Sequence, residues 1–217
     1  MSEIKSAPET TARKVAASLL EVKAIQLRTQ PPFTWSSGWN SPIYCDNRLA
    51  LSFPEVRTFI KNALAETIRR QFPGVEAIAG VATAGIPQGA LVADTLQLPF
   101  LYVRSKPKDH GMTNMIEGKV TPGQKVVVLE DLISTGGSSL KVVDALRESG
   151  FEVLGMAAIF TYGFETARRN FAEKGVPLVC LSDYTYLLEE AIRRQIIGQN
   201  ELASLQAWRR SPETWGK

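Results

Sequence analysis

"VVVLEDLISTGGSSL", residues 126–140, decides how this chain is read. Val126, Val127, Val128 and Leu129 form the continuous apolar run of a strand covered on both faces. Two acids follow, Glu130 and Asp131, and then hydroxyls and glycines that lead into a helix. In open α/β sheets, ligands sit beyond the carboxyl ends of the strands. Carboxylates brought to such a place must be compensated for leaving water. Thr135, Gly136, Gly137 and Ser138 let backbone approach an anion closely, at a helix start whose N–H groups lack intrahelical partners. The acids suit the hydroxyls of a sugar carrying that anion, or a nearby metal ion. The stretch therefore describes a site for a sugar phosphate. A plain strand-to-helix turn with an N-capping serine would explain the glycine pair, but not the two acids. Neither the Gly-x-x-x-x-Gly-Lys-Ser/Thr loop nor a Gly-x-Gly-x-x-Gly fingerprint is present in the stretch.

Outward from this strand, the sequence alternates. Strands are expected at "VEAIAGV", "PFLYVR", "KVVVLE", "VLGMAAIF" and "VPLVCLS". Helices are expected between them at 86–96, 138–149 and 165–174, with Gly150 as a C-terminal stop. Such alternation means a mostly parallel sheet flanked by helices. Before it, residues 9–28 read as a helix, with Val15, Leu19 and Val22 at helical spacing. The stretch "TQPPFTWSSGWNSPIYCDNRLALS" reads as loop with short strands. Ser52 and Glu55 read as a capping box with Pro54 in the first turn of a second helix. Some of the residues before 55 and after 183 are expected to cap one end of the sheet.

The 217 residues suit one large domain. A net charge of +3 is too small to make nucleic acid a default partner. Two cysteines, Cys45 and Cys180, define no disulfide framework and fit a reducing, cytoplasmic setting. The first residues carry acids and lack a signal peptide's apolar run. No stretch approaches about 18 apolar residues, so no membrane span is expected.

"VVVLEDLISTGGS" resembles the 5-phosphoribosyl-1-pyrophosphate (PRPP) signature of type I phosphoribosyltransferases. "YVRSKPKDHGMTNMIEG" is similar to the mobile catalytic loop of orotate phosphoribosyltransferases, and "FTWSSGWNSPIYCDNR" to the segment that caps their orotate base. "GVATAGIPQGA" is similar to a loop that touches pyrophosphate through its backbone. There are departures. Ser36, Ala84 and Ser105 stand where some members carry lysine, and "TYGFET" lacks an arginine that some members use on orotate.

The resemblance implies an α/β, type I phosphoribosyltransferase fold in a single domain. About 1–54 would be the N-terminal helix and base-capping hood, about 55–182 the PRPP-binding core, and about 183–217 C-terminal helices. It implies transfer of phosphoribose from PRPP to orotate, giving orotidine 5′-monophosphate and pyrophosphate, in pyrimidine synthesis. PRPP contacts would fall on Glu130, Asp131, Leu132, Ile133, Ser134, Thr135, Gly136, Gly137 and Ser138, with Arg104, Lys108 and His110 at the pyrophosphate. Orotate would meet Tyr44 and Ser134, with Arg48 a candidate for its carboxylate and a surface ion pair the alternative. Catalysis would rest on Lys108, Asp109, His110 and Asp131. Mg²⁺ is the expected cofactor, held mainly by substrate oxygens and water rather than by protein ligands. A homodimer sharing its lid residues between subunits is also implied. Rival readings are a phosphoribosyltransferase for another base and a PRPP-sensing regulator on the same fold.

Overall fold

Val128 lies at the middle of a seven-stranded sheet in the computed structural model, which describes residues 4–35, 38–105 and 115–216. In chain order, β1 (Lys5–Ser6) precedes α1 (Glu9–Glu21). Four short strands follow: β2 (Ile25–Leu27), β3 (Phe33–Thr34), β4 (Asn40–Ser41) and β5 (Ile43–Cys45). A 3₁₀ turn, Asn47–Ser52, leads into α2 (Pro54–Gln71). Next come β6 (Ala77–Val81), α3 (Gly85–Leu96), β7 (Phe100–Val103) and β8 (Ile116–Glu117). The chain then runs through β9 (Lys125–Ile133), α4 (Gly137–Glu148), β10 (Glu152–Thr161), α5 (Glu165–Glu173) and β11 (Leu178–Asp183). It ends with α6 (Tyr184–Arg193) and α7 (Gln199–Arg210).

The sheet order is β1-β11-β10-β9-β6-β7-β8. Every pairing in it is parallel except β7 with β8. The period of two along each strand divides the core. Val127, Leu129, Ala157 and Ile159 face one way, onto α1, α2, α6 and α7 through Leu19, Leu64, Leu187 and Trp208. Val126, Val128, Met156 and Ala158 face the other way, onto α4 and α5 through Val143, Leu146 and Phe171. Apolar residues at successive positions of β9 are thus each needed, one face at a time. Gly85 lets α3 lie close to the sheet, because a Cβ there would stand 2.5 Å from the Leu129 carbonyl oxygen.

Three expectations are corrected. The first helix stops at Glu21, not at 28; Lys23 has φ 58° and Ile25–Leu27 become β2, antiparallel to β5. Ile25 continues the helical spacing, but its burial is won by strand pairing. No capping box forms at Ser52, which closes the 3₁₀ turn. Phe53 is the N-cap of α2 instead, extended at φ −111°, ψ 101° and with no side-chain cap. The residue before a proline is pushed out of the helical region, and Pro54 imposes this on Phe53. Finally, β9 does not end at the acids, because Leu132 and Ile133 still pair with Phe160 and Thr161 of β10.

The last helix and the turns after it reach back over the early strands. Glu201 accepts the Thr29 hydroxyl at 2.7 Å, and the Gly216 carbonyl accepts the Asn40 amide at 3.0 Å. Trp208 is fully buried beneath Trp35 and Tyr162. Among the described residues, no helix is long and apolar enough to cross a membrane.

Candidate active site

Glu130 and Asp131 sit near the carboxyl end of β9. Glu130 is buried, and both of its oxygens are held. Oε1 accepts the Asp131 N–H at 3.0 Å and Oε2 accepts the Ser139 hydroxyl at 2.9 Å. Burial pushes the Glu130 carboxyl well above its ordinary range, and the charge of Asp131 pushes it further. Burial raises Asp131 as well, against hydrogen bonds that favour its charged form. Two carboxyls in a shared low-dielectric site resist ionising together. They favour a partner that donates hydrogen bonds or carries positive charge. Asn47, from the 3₁₀ turn, donates its amide to the Asp131 carbonyl at 2.8 Å and ties the N-terminal segment to this strand.

The loop beyond β9 is arranged with its carbonyls turned back into the protein. The Ile133 carbonyl accepts the Thr161 hydroxyl at 3.1 Å and the Tyr162 N–H at 3.2 Å. The Thr135 carbonyl accepts the Asn170 amide at 2.9 Å. Gly136 has φ +80°, and a Cβ there would stand 2.5 Å from the Phe171 ring. Helix α4 begins at Gly137 with no side-chain cap. Its first N–H groups therefore have no capping side chain, while Thr135, Gly137 and Ser138 are exposed beside them. An anion fits that place by hydrogen bonding and by the helix dipole.

Next to the loop is a cavity of about 430 Å³ lined by Thr34, Trp35, Tyr44, Cys45, Leu132, Ser134 and Tyr162. Trp35 stacks on Tyr162 with centroids 5.4 Å apart at 29°, and its indole N–H donates to the Ile43 carbonyl at 3.1 Å. Tyr44 is 41% exposed, so it is a wall of this cavity and not a core aromatic. Burial pushes the Cys45 thiol and the Tyr162 phenol well up, which keeps both uncharged. The walls are flat, aromatic and neutral, and suit a planar ring. Leu132 and Ser134 belong both to this wall and to the stretch that carries the acids and the anion loop.

Arg48 does not line the cavity. Its guanidinium grips Asp46 with two hydrogen bonds of 2.7 and 2.9 Å and holds the Asp46 carboxyl below its ordinary range. The surface ion pair is what forms. Arg104 follows β7, its N–H bonded to the Met115 carbonyl at 2.8 Å and its guanidinium 3.6 Å from Glu117. The antiparallel pair β7–β8 flanks the segment carrying Lys108, Asp109 and His110, and those three lie outside the described residues. Of the stretch 80–90, only Ala82–Ala84 lie between β6 and α3, and the Ala82–Thr83 peptide there is cis. Asn47, Ser139, Thr161 and Asn170 were missed in the sequence. Asn47, Ser139 and Thr161 fall inside the quoted "CDNR", "VVVLEDLISTGGSSL" and "TYGFET", whereas Asn170 had no local signal.

Among the described residues, no group of three or more His, Cys, Asp or Glu could hold a metal ion. Both Glu130 oxygens are engaged, by Ser139 and by the Asp131 N–H, which leaves Asp131 as the hard oxygen donor that matches Mg²⁺, an ion that binds through one or two carboxylates and keeps its other positions for water and substrate. That donor set fits the expected ion as a shared guest, not as a caged one.

Comparison with known proteins gives the class first. The phosphoribosyl transferase domain family matches residues 51–182, a span that includes both acids and the anion loop. Orotate phosphoribosyltransferase from Cytophaga hutchinsonii is 59% identical over 205 residues, covering 94% of this chain and 98% of that one. The enzyme of the same name from Porphyromonas gingivalis is 57% identical over 208 residues, covering 96% and 99%. The crystal structure of orotate phosphoribosyltransferase from Aeropyrum pernix superposes with a TM-score of 0.74 at 31% identity, covering 85% of this chain and 99% of that one. The chain belongs to the orotate phosphoribosyltransferase family.

Proposed function

We propose that this protein transfers the 5-phosphoribosyl group of PRPP to orotate, releasing pyrophosphate and forming orotidine 5′-monophosphate for pyrimidine synthesis. One observation carries the reading: the flat, neutral cavity and the anion loop share a wall at Leu132 and Ser134. A planar base in the cavity and a phosphate in the loop are then held at the two ends of one ribose. Glu130 and Asp131 immediately precede that shared wall in the chain. The loop amides bind the 5-phosphate. Asp131 orients ribose hydroxyls and favours positive charge developing on the sugar, while Glu130, bonded to Ser139 and to the Asp131 N–H, supports that position. Tyr44 and Trp35 hold the base in its plane.

Bound Mg²⁺ would supply charge neutralisation at the pyrophosphate. By family resemblance, Arg104, Lys108 and His110 stabilise the leaving group, Asp109 lies beside them, and the lid keeps water away. A homodimer with shared lids and a cytoplasmic setting belong to the same reading. The buried Cys180 and half-buried Cys45, both free thiols, support the latter. No observation favours nucleic acid as a partner.

The test is turnover of purified protein with PRPP and Mg²⁺ against orotate, adenine, guanine and xanthine. Pyrophosphate release is expected with orotate alone. Equal or faster turnover of a purine would overturn the assignment, and no turnover with any base would favour the regulator.

A further inference from the structure

The loop amides bind an anion only if their N–H groups point outward together, and nothing within the loop's own sequence enforces this. Each peptide is a rigid plane in which a trans C=O and the next N–H point opposite ways. The cis peptides among the described residues are Gln30–Pro31 and Ala82–Thr83, so the peptides of this loop are trans. Whatever takes a loop carbonyl on the inner side therefore aims the following N–H at the mouth. Helix bonding does this for Gly137, since the Gly136 carbonyl accepts the Leu140 N–H at 2.9 Å. Thr161 and the Tyr162 N–H do it for Ser134 by taking the Ile133 carbonyl. For Gly136 the partner is Asn170, on α5, whose amide takes the Thr135 carbonyl at 2.9 Å.

The next residue of α5 reinforces this. The Phe171 ring fills the space beside Gly136, where a Cβ would meet it at 2.5 Å, so α5 forms the back wall of the loop. We infer that Asn170 is a positioning residue for phosphate binding, which fixes the peptide between Thr135 and Gly136 so that the Gly136 N–H faces the ligand. It touches no substrate itself, and the inference rests on reading the loop as the 5-phosphate cradle.

A tether between α4 and the C-terminal end of α5 supplies the control. Arg147 of α4 donates to the Lys174 carbonyl at the end of α5, at 3.0 Å, holding α5 without touching the loop. The probe is ribose 5-phosphate, titrated by calorimetry into the full-length protein and its variants. Asn170→Ala is expected to weaken it about three- to tenfold, the worth of one directing hydrogen bond. Asn170→Asp sets an acceptor against the Thr135 carbonyl and adds negative charge near the phosphate. It should weaken binding more, with part of the loss recovered in high salt. Arg147→Ala should leave the affinity unchanged. In turnover, the two Asn170 variants should raise KM for PRPP and leave KM for orotate alone. Equal affinity in Asn170→Ala and wild type would overturn the inference, and so would equal losses in Asn170→Ala and Arg147→Ala, because Asn170 would then be a helix tether only. Wild-type protein that fails to bind ribose 5-phosphate would overturn the cradle reading itself.

Discussion

Folding shifts the Glu130 carboxyl toward its protonated form. Its folded value lies well above the ordinary 4.5, first through burial and then through Asp131. Between 4.5 and that higher value, the native state keeps a proton that the unfolded chain has released. Stability from this group is therefore full below 4.5 and falls as pH rises through the window. Glu130→Gln should flatten that fall and raise Tm at neutral pH relative to wild type, while lowering turnover. Thermal melts of both proteins across pH 4 to 8 check the sign, and identical slopes would refute it. Asp131→Asn keeps size and hydrogen-bonding shape but removes charge. It should cut kcat by about 10²-fold, the scale of losing one preorganised electrostatic contact, as steady-state kinetics would show. Gly136→Ala forces a side chain into a left-handed backbone and against Phe171. A loss of about 1–3 kcal/mol in chemical unfolding is expected, together with weaker PRPP binding. The acids and glycines were legible because their chemistry is consecutive. Asn47 and Asn170 were not, because each meets its partner only after folding, 84 and 35 positions away.

Among the elements, strands buried on both faces were legible from composition alone, since little else accounts for "KVVVLE" or "VPLVCLS". The edges were less so. The boundary between α1 and β2 depends on β5, which arrives later in the chain and pairs Cys45 with Ile25. Residues after 183 were expected to help cap the sheet, but which side chain of α7 does so was not legible. In the fold its Trp208 stands edge-on to Trp35 and Tyr162, at 5.7 and 5.4 Å, and so backs two walls of the base cavity. Its indole N–H has no hydrogen-bond partner among the described residues. Trp208→Phe therefore removes volume without breaking a bond, and should raise KM for orotate while sparing KM for ribose 5-phosphate donors. Trp208→Ala should cost about 3–5 kcal/mol of stability, measured by urea unfolding. Equal effects of Trp208→Phe on both substrates would mean that the helix supports the fold generally and not the cavity.

At the scale of the whole molecule, the proposed shared lid makes a prediction about pairs of chains. Lys108→Ala and Asp131→Asn homodimers should each be poor enzymes, with two damaged sites apiece. After subunit exchange, a mixed dimer would hold one site with both defects and one with neither. Activity should return toward about a quarter of wild type under random exchange and closed two-fold symmetry. No recovery, with exchange verified by mass spectrometry, would mean that each chain uses its own lid.

The contacts that residues 199–216 make with Thr29, Trp35 and Asn40 also bear on synthesis. Those residues leave the ribosome after everything they touch. A nascent chain that has emerged through β11 has every strand of the central sheet and the whole anion loop. Its base pocket still lacks the indole behind it, so during translation the ability to hold a phosphate would precede the ability to choose a base.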